Sequence, residues 1–168
     1  GATPGLGTVK DGAGFATLMQ ELRAALNTLA AETGRDYELA AAMSGGVEKL
    51  SIIDWEKAAP PMDYINLMTY DYYGAGSNVL GHQTGLYTSV QYLVESGVTP
   101  GKIAIGVAMY GRGWQDVTDV KNNNPFSGVG GAVLSDGEPG FMNYRQLAAN
   151  ASGGPKASGI NGFILGWD

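Results

Sequence analysis

The chain has 168 residues, 44% of them hydrophobic and 15% charged, which is the composition of a globular protein rather than a disordered one. Its net charge of −6, and the lack of any apolar stretch near the ~20 residues of a membrane span, argue against nucleic acid and membranes as partners. It has no cysteine and one histidine, which excludes disulfides, thiolate metal sites and multi-histidine clusters, so we expect no metal and no cofactor.

Helices and strands alternate in the predicted secondary structure. Apolar residues recur at spacings of three and four from Phe15 to Leu29, which predicts an amphipathic helix that ends at Gly34. The remaining predicted elements are a strand at Tyr37–Met43, a helix at Val47–Ala59, a strand at Tyr64–Tyr70, a helix at Thr88–Ser96, a strand at Ile103–Met109, a glycine- and asparagine-rich loop at 111–140, a helix at Asn143–Asn150 and a strand at Gly162–Leu165.

This alternation predicts an α/β fold made of βα units around a parallel sheet. Four strands cannot close a (β/α)8 TIM barrel, which needs eight strands and usually ~250 residues. The sequence therefore predicts a partial barrel of about four βα units. An open sheet leaves unpaired strand edges and an uncovered face, so two copies could complete the barrel as a homodimer.

Polar and aromatic residues gather at the carboxyl ends of three predicted strands, in Tyr70–Gly74, Tyr110–Trp114 and Trp167–Asp168. That face of a barrel carries the active site. Aromatic rings there offer flat platforms for sugar rings, and Asp and Arg offer hydrogen bonds. Such residues can also simply cap a core, with Asp71 as a turn residue. Three strand ends of the same character favour a ligand site.

Several segments carry a family resemblance. Met62–Asp71 resembles the sixth-strand signature of family 18 chitinases, and Ala108–Trp114 resembles their seventh-strand signature. Gly81–Thr84 and Gly101–Ile103 also resemble the bacterial members. The resemblance covers about residues 5–149, in the family's order and spacing. It implies that the four βα units are strands five to eight of a chitinase-type catalytic barrel.

The resemblance also implies a site for a chitooligosaccharide. Family 18 enzymes use the acetamido group of the substrate as nucleophile, so the protein orients this group and supplies one general acid. By position, Tyr70 hydrogen-bonds the N-acetyl carbonyl and acts with Asp71 in orienting the acetamide. Met68 lines the same subsite, and Tyr110 and Arg112 contact neighbouring sugars.

The general acid is not found at the expected position. The family carries it in an Asp-rich motif that ends in Glu on the fourth strand, and residue 1 falls near the loop after that motif. Ile53–Glu56 imitates the end of the motif, but Lys49 and Ile52 replace its earlier aspartates. We interpret Glu56 as a solvent-facing helix residue rather than a substitute acid, and we expect the chain alone to be inactive or weakly active.

The end of the chain departs from the family. Members of this type insert a small α+β subdomain between strands seven and eight, and the segment Asn124–Lys156 leaves room only for a stub. We therefore predict a single truncated domain over residues 1–168. Trp167 would form the floor beneath the central sugar, although its strand is one residue longer than the family pattern.

Other polar residues carry weaker signals. His82 is interpreted as a loop-packing residue, because no Ser–Asp arrangement accompanies it. Asn122–Asn124 predicts a turn-rich loop. Asp116 and Asp119 in the same region are weak grounds for a metal site.

Two functions fit these residues best. One is a chitinase-family glycoside hydrolase fragment that acts on chitin or chitooligosaccharides, polymers of β-1,4-linked N-acetylglucosamine. The other is a non-catalytic, lectin-like module that binds chitooligosaccharide. A purely structural protein without a sugar site is a third, weaker alternative. Secretion is expected from the family, although we recognise no signal peptide in the sequence.

Overall fold

The computed structural model of the protein describes residues 7–8, 10–74, 78–81, 85–122, 127–133 and 137–150. They form two compact units, the first within residues 1–69 and 86–106 and the second within residues 70–85 and 107–168. The first unit contains α1 (Asp11–Thr33), β1 (Ala40–Ser44), α2 (Val47–Leu50), α3 (Trp55–Ala58), β2 (Tyr64–Met68), α4 (Leu86–Glu95) and β3 (Ile103–Ile105). The second contains β4 (Tyr110–Arg112), β5 (Trp114–Thr118), β6 (Val129–Ala132), β7 (Phe141–Asn143) and α5 (Tyr144–Asn150).

The three strands of the first unit form a parallel sheet in the order β1-β2-β3. Ala41 lies opposite Ile65, and Ile65 lies opposite Ile103. Helices α2 and α3 connect β1 to β2, and α4 connects β2 to β3, because parallel neighbours need a crossover segment. The predicted parallel βα units are confirmed for these strands. The fourth predicted strand, Gly162–Leu165, lies outside the described residues.

Helix α1 is the element that the sequence predicts best. It ends at Thr33, and Gly34 follows with φ 66°. This left-handed conformation suits glycine, and it allows the Gly34 N–H to donate to the carbonyl of Ala30 at 2.8 Å. The predicted cap is confirmed.

The first turn of α1 packs closely against the segment between α2 and α3. A Cβ atom on Gly12 would lie 1.8 Å from the carbonyl oxygen of Ile52. Gly14, two residues further along the same helix, has nothing within 4 Å of the equivalent position. Glycine is thus required at position 12 by backbone proximity, and at position 14 it only lowers helix propensity.

One face of the parallel sheet packs against the helices. Ile65 and Leu67 lie two residues apart on this face of β2, and their exposed fractions are 0% and 1%. They share a core with buried residues of the surrounding helices and loops, chiefly Leu50, Trp55, Ala58, Met62, Leu93 and Val98. Burying each such aliphatic side chain contributes about 1.5–3 kcal/mol to folding.

The other face of the same sheet is uncovered in the part of the chain that the structure describes. Ala42, Asn66 and Ala104 lie side by side across β1, β2 and β3, and all three are exposed. Tyr64, on the same face of β2, is 42% exposed. Parallel sheets are normally covered on both faces. The described strands of the first unit therefore form an open sheet with one exposed face.

The predicted helix at Val47–Ala59 is wrong in its middle. Two four-residue helices, α2 and α3, replace it. Asp54 has φ −77° and ψ 87°, outside the helical region, and so interrupts the helix. The indole N–H of Trp55 donates to the carbonyl of Leu50 at 2.9 Å, which stabilises the bend between the two helices.

The predicted loop at 111–140 is also wrong, because strands occupy much of it. β4 pairs with β7, and β5 pairs with β6, both antiparallel. A Cβ atom on Gly130 of β6 would lie 2.9 Å from the carbonyl oxygen of Gln115, so this glycine permits close strand pairing rather than a loop. The predicted strand at Ile103–Met109 is likewise shorter, since β3 ends at Ile105.

The contrast between the two glycines of α1 is testable. Gly12→Ala should lower the free energy of unfolding by about 2 kcal/mol, because the new methyl group collides with the Ile52 carbonyl. Gly14→Ala should raise the same free energy by up to about 1 kcal/mol, because alanine favours the helix. Urea denaturation of both variants measures the difference, and equal effects would contradict the close contact at Gly12.

Candidate functional site

The candidate site is in the second unit, on the β4–β7 pair. Tyr110 and Arg112 alternate with Gly111 along β4, so their side chains lie on the same face. Phe141 of β7 is directly opposite Arg112. The N–H of Tyr144, at the start of α5, donates to the carbonyl of Met109 at 2.9 Å and ties this helix to β4.

Arg112 is the centre of the site. Its Nε donates to Asp71 Oδ1 at 2.8 Å, and its Nη1 donates to Glu138 Oε1 at 2.7 Å. The guanidinium carbon lies 5.3 Å from the ring centroid of Tyr110 and 5.5 Å from that of Phe141, which are cation–π distances. The Arg112 side chain is 11% exposed, so the protein surrounds most of this charge. We call Asp71, Tyr110, Arg112, Glu138 and Phe141 the Arg112 cluster.

Asp71 receives hydrogen bonds from two members of the cluster. Arg112 donates from Nε, and the hydroxyl of Tyr110 donates to the same carboxylate. Burial raises the pKa of Asp71, but the hydrogen bonds from Arg112 and Tyr110 outweigh it and hold the pKa below its ordinary value. Asp71 is therefore an anion at neutral pH.

The same contacts raise the pKa values of Tyr110 and Arg112. Burial, followed by the hydrogen bond to Asp71, raises the pKa of Tyr110 to about 12. The hydrogen bond with Asp71 is the main cause that raises the pKa of Arg112. Tyr110 thus stays a neutral donor and Arg112 stays a cation over any physiological pH.

The backbone of Asp71 adopts an uncommon conformation. Its φ of 61° lies in the left-handed region, which few residues other than glycine adopt, although Asp and Asn tolerate it better than most. β2 ends at Met68, so the predicted strand Tyr64–Tyr70 is too long by two residues. The chain turns after the strand, and this turn holds the Asp71 carboxylate towards Arg112.

Tyr70 belongs to the same group of aromatic rings. Its ring centroid lies 6.3 Å from that of Tyr110, in an edge-to-face arrangement at 74°. Tyr70 is only partly buried, so part of its surface faces solvent beside the cluster. Partly exposed aromatic rings next to fixed charges are suited to binding sugars, which offer apolar faces and a rim of hydroxyl groups.

The structure brings four of the predicted site residues together. Tyr70, Asp71, Tyr110 and Arg112 share the second unit. Met68 lies at the end of β2 in the first unit, so its predicted role in the same subsite stays a prediction. His82 and Trp167 lie outside the described residues.

Glu56 lies in α3 of the first unit and is exposed, between the buried residues Trp55 and Ala58. The interpretation of Glu56 as a solvent-facing helix residue is confirmed.

Three of the weaker candidates lie among the described residues. Asp116, Asp119 and Asn122 have positive φ angles, which makes them turn or bulge residues. Within the described ranges, no three His, Asp or Glu side chains converge as metal ligands. No helix of the same residues is long and apolar enough to cross a membrane.

Sequence reasoning missed two residues of the cluster. Glu138 and Phe141 fall where a loop is predicted, and only the pairing of β4 with β7 brings them to Arg112. The sequence does contain a weak signal, because the apolar pair Phe141-Met142 follows Gly140 directly. A short strand after a glycine turn is a reasonable interpretation of that pattern.

Comparisons with known proteins agree on one family. The sequence model described as glycosyl hydrolases family 18 matches residues 3–166. Chitinase A of Pseudoalteromonas piscicida is 41% identical over 208 residues, which include the whole chain and 25% of that protein. The chain thus spans about a quarter of this relative's length.

Solved structures give the same result. Chitinase ChiA74 from Bacillus thuringiensis has a TM-score of 0.78 and 27% identity, and the match covers 100% of this chain and 30% of that one. The Ostrinia furnacalis Group IV chitinase, solved in complex with allosamidin, has a TM-score of 0.72 and 28% identity, with coverage of 88% and 43%. The described residues have the fold of part of such an enzyme.

Proposed function

Because the chain belongs to glycosyl hydrolase family 18, whose model matches residues 3–166, we propose that it acts on chitooligosaccharides as part of a chitinase-type (β/α)8 barrel. The observation that carries this proposal is the Arg112 cluster, which joins residues of the two motifs that resemble the family's sixth- and seventh-strand signatures. The chitinase names of the relatives, and the allosamidin complex of one similar structure, support the same substrate class.

The proposed substrate is a β-1,4-linked N-acetylglucosamine polymer. In substrate-assisted hydrolysis the acetamido oxygen attacks the anomeric carbon while the glycosidic bond breaks and the general acid protonates the leaving oxygen. Water then opens the intermediate, and the configuration is retained. Tyr70 donates a hydrogen bond to the acetamide carbonyl, and Asp71 orients the group. Since Arg112 and Tyr110 keep Asp71 ionised, the carboxylate can stabilise the positive charge that develops on the acetamide. Met68 and Trp167 complete the sugar subsites.

The described strands are proposed to be consecutive strands of the second half of the barrel. We assign β1, β2 and β3 to barrel strands five, six and seven, with Gly162–Leu165 as strand eight. The family's α+β insertion is largely missing in this proposal, so residues 1–168 form one truncated catalytic domain. The alignment with the Pseudoalteromonas protein supports this, because its 208 positions exceed the 168 residues of this chain by 40.

The general acid is proposed to belong to the motif on barrel strand four, which this sequence does not contain. The exposed position of Glu56 on α3 makes it a poor substitute, because a general acid must lie within hydrogen-bond reach of the bond that it protonates inside a site. We therefore expect binding with little or no hydrolysis by the chain alone. This property also fits the second candidate function, a lectin-like chitooligosaccharide-binding module. Secretion is proposed from the family.

The test combines hydrolysis with binding. Purified chain is mixed with a fluorogenic chitooligosaccharide beside Glu56→Gln, and binding of tetra-N-acetylchitotetraose is measured by calorimetry. Tyr70→Ala should weaken this binding by about tenfold or more, because a hydrogen bond and a ring contact are lost. Tyr87→Ala is the matched control, since Tyr87 is 77% exposed in the first unit.

Each result has a defined meaning. Equal affinity of wild type and Tyr70→Ala would refute the proposed sugar site. Turnover that Glu56→Gln abolishes would identify Glu56 as the acid and overturn our interpretation of it. Binding without turnover would favour a non-hydrolytic role for the isolated chain.

The open sheet suggests that the protein associates with itself. β1 forms one edge of the three-stranded sheet, the proposed strand eight would form the other edge beside β3, and the face that carries Asn66 is uncovered among the described residues. We propose that two copies pair as a homodimer, because unpaired edges and an uncovered face favour association. Sedimentation velocity over a concentration series should show a dimer at high concentration, and monomer alone at every concentration would contradict the homodimer.

A further inference from the structure

Backbone hydrogen bonds of a turn hold Glu138 beside the strand that carries Arg112. The N–H of Phe141 donates to the Glu138 carbonyl at 3.0 Å, which closes a turn just before β7. Gly140 within that turn has φ 74°, a conformation that suits glycine. The N–H of Gly113, the residue after Arg112, donates to the Gly140 carbonyl at 2.9 Å. The turn therefore keeps the Glu138 backbone in register with the end of β4.

Two acidic side chains bind different nitrogen atoms of the Arg112 guanidinium. Nε is bound by Asp71 and Nη1 by Glu138, while the rings of Tyr110 and Phe141 contact the group as well. A planar guanidinium held at one nitrogen can still rotate about its side-chain bonds. Contacts at two nitrogens fix the plane, which is the geometric advantage of arginine over lysine.

We propose that Glu138 is a positioning residue of the site, which binds Nη1 of Arg112 so that Nε stays directed at Asp71. Glu138 does not need to touch the sugar for this role. The link from Asp71 to sugar binding rests on the function proposed above. The positioning itself is a property of the free protein and can be measured without any sugar.

Two opposite effects follow when the charge of Glu138 is removed. If Glu138 only adds negative charge near Asp71, its loss removes a like-charge repulsion and lowers the pKa of Asp71. If Glu138 positions Arg112, its loss lets the guanidinium rotate, weakens the hydrogen bond from Nε and raises the pKa of Asp71. In the part of the chain that the structure describes, the groups that face Asp71 are Arg112 and Tyr110, and neither changes charge near pH 4. The sign of the shift therefore separates the two roles.

The experiment titrates the Asp71 carboxyl carbon by NMR in wild type, Glu138→Gln and Glu138→Ala. We expect the pKa to rise by roughly 0.5–1 unit in Glu138→Ala. A smaller rise is expected in Glu138→Gln, which keeps a neutral acceptor for Nη1. Glu21→Gln is the matched control, since Glu21 is exposed on α1 in the first unit and should leave the pKa unchanged.

Hydrogen exchange of the Arg112 Nε–H gives a second measure. In wild type this N–H is bonded to Asp71 and little exposed, so its exchange should be slow. Exchange in Glu138→Ala should approach the rate of Arg35, which is exposed near the end of α1. An Asp71 pKa that falls or stays constant, with exchange still slow, would overturn the positioning role.

Sugar binding is measured last, so that the two proposals can fail separately. If both proposals are correct, Glu138→Ala binds tetra-N-acetylchitotetraose several-fold more weakly than wild type, and the affinity of Glu138→Gln lies between those of the two. If the pKa and exchange results hold but wild type binds no sugar, the positioning role stands and the chitooligosaccharide site fails. If wild type binds sugar but the pKa of Asp71 falls, the positioning role fails alone.

Discussion

The site depends on the pairing of one largely buried cation. Arg112 is 11% exposed, and a charge removed from water to this extent is tolerated only with partners. Asp71 supplies one partner from the turn after β2, and Glu138 supplies the other from the turn before β7. Two distant stretches of sequence are therefore brought to the same side chain. The Asp71 carboxylate and the rings of Tyr110 and Phe141 all contact this guanidinium.

The first unit depends on a different requirement, because a parallel sheet needs other elements to cover its apolar faces. Its helices bury Ile65 and Leu67 on one face of β2, whereas Asn66 on the other face stays exposed. A closed barrel would bury that second face in its interior. One face of β2 thus packs in the core of the first unit, and the other face is the one that a closed barrel of this family would bury.

The sequence predicts elements whose signal is local and misses those that depend on distant pairing. Helix α1 and its Gly34 cap follow from apolar periodicity and one glycine, and Tyr110 and Arg112 follow from a motif at a strand end. The β4–β7 pair could not be predicted from helix and strand alternation, because it is antiparallel and joins short segments far apart in the chain. Glu138 was missed for the same reason, since no local pattern links it to Arg112.

We propose that the residues around Arg112 bind a chitooligosaccharide. The most direct measurement is a titration of tetra-N-acetylchitotetraose into isotope-labelled chain, followed by NMR. Binding at this site should give saturable shifts that are largest at Asp71, Tyr110 and the Nε–H of Arg112. Saturating sugar that leaves these signals unchanged, or that shifts only signals of the helices in the first unit, would contradict it.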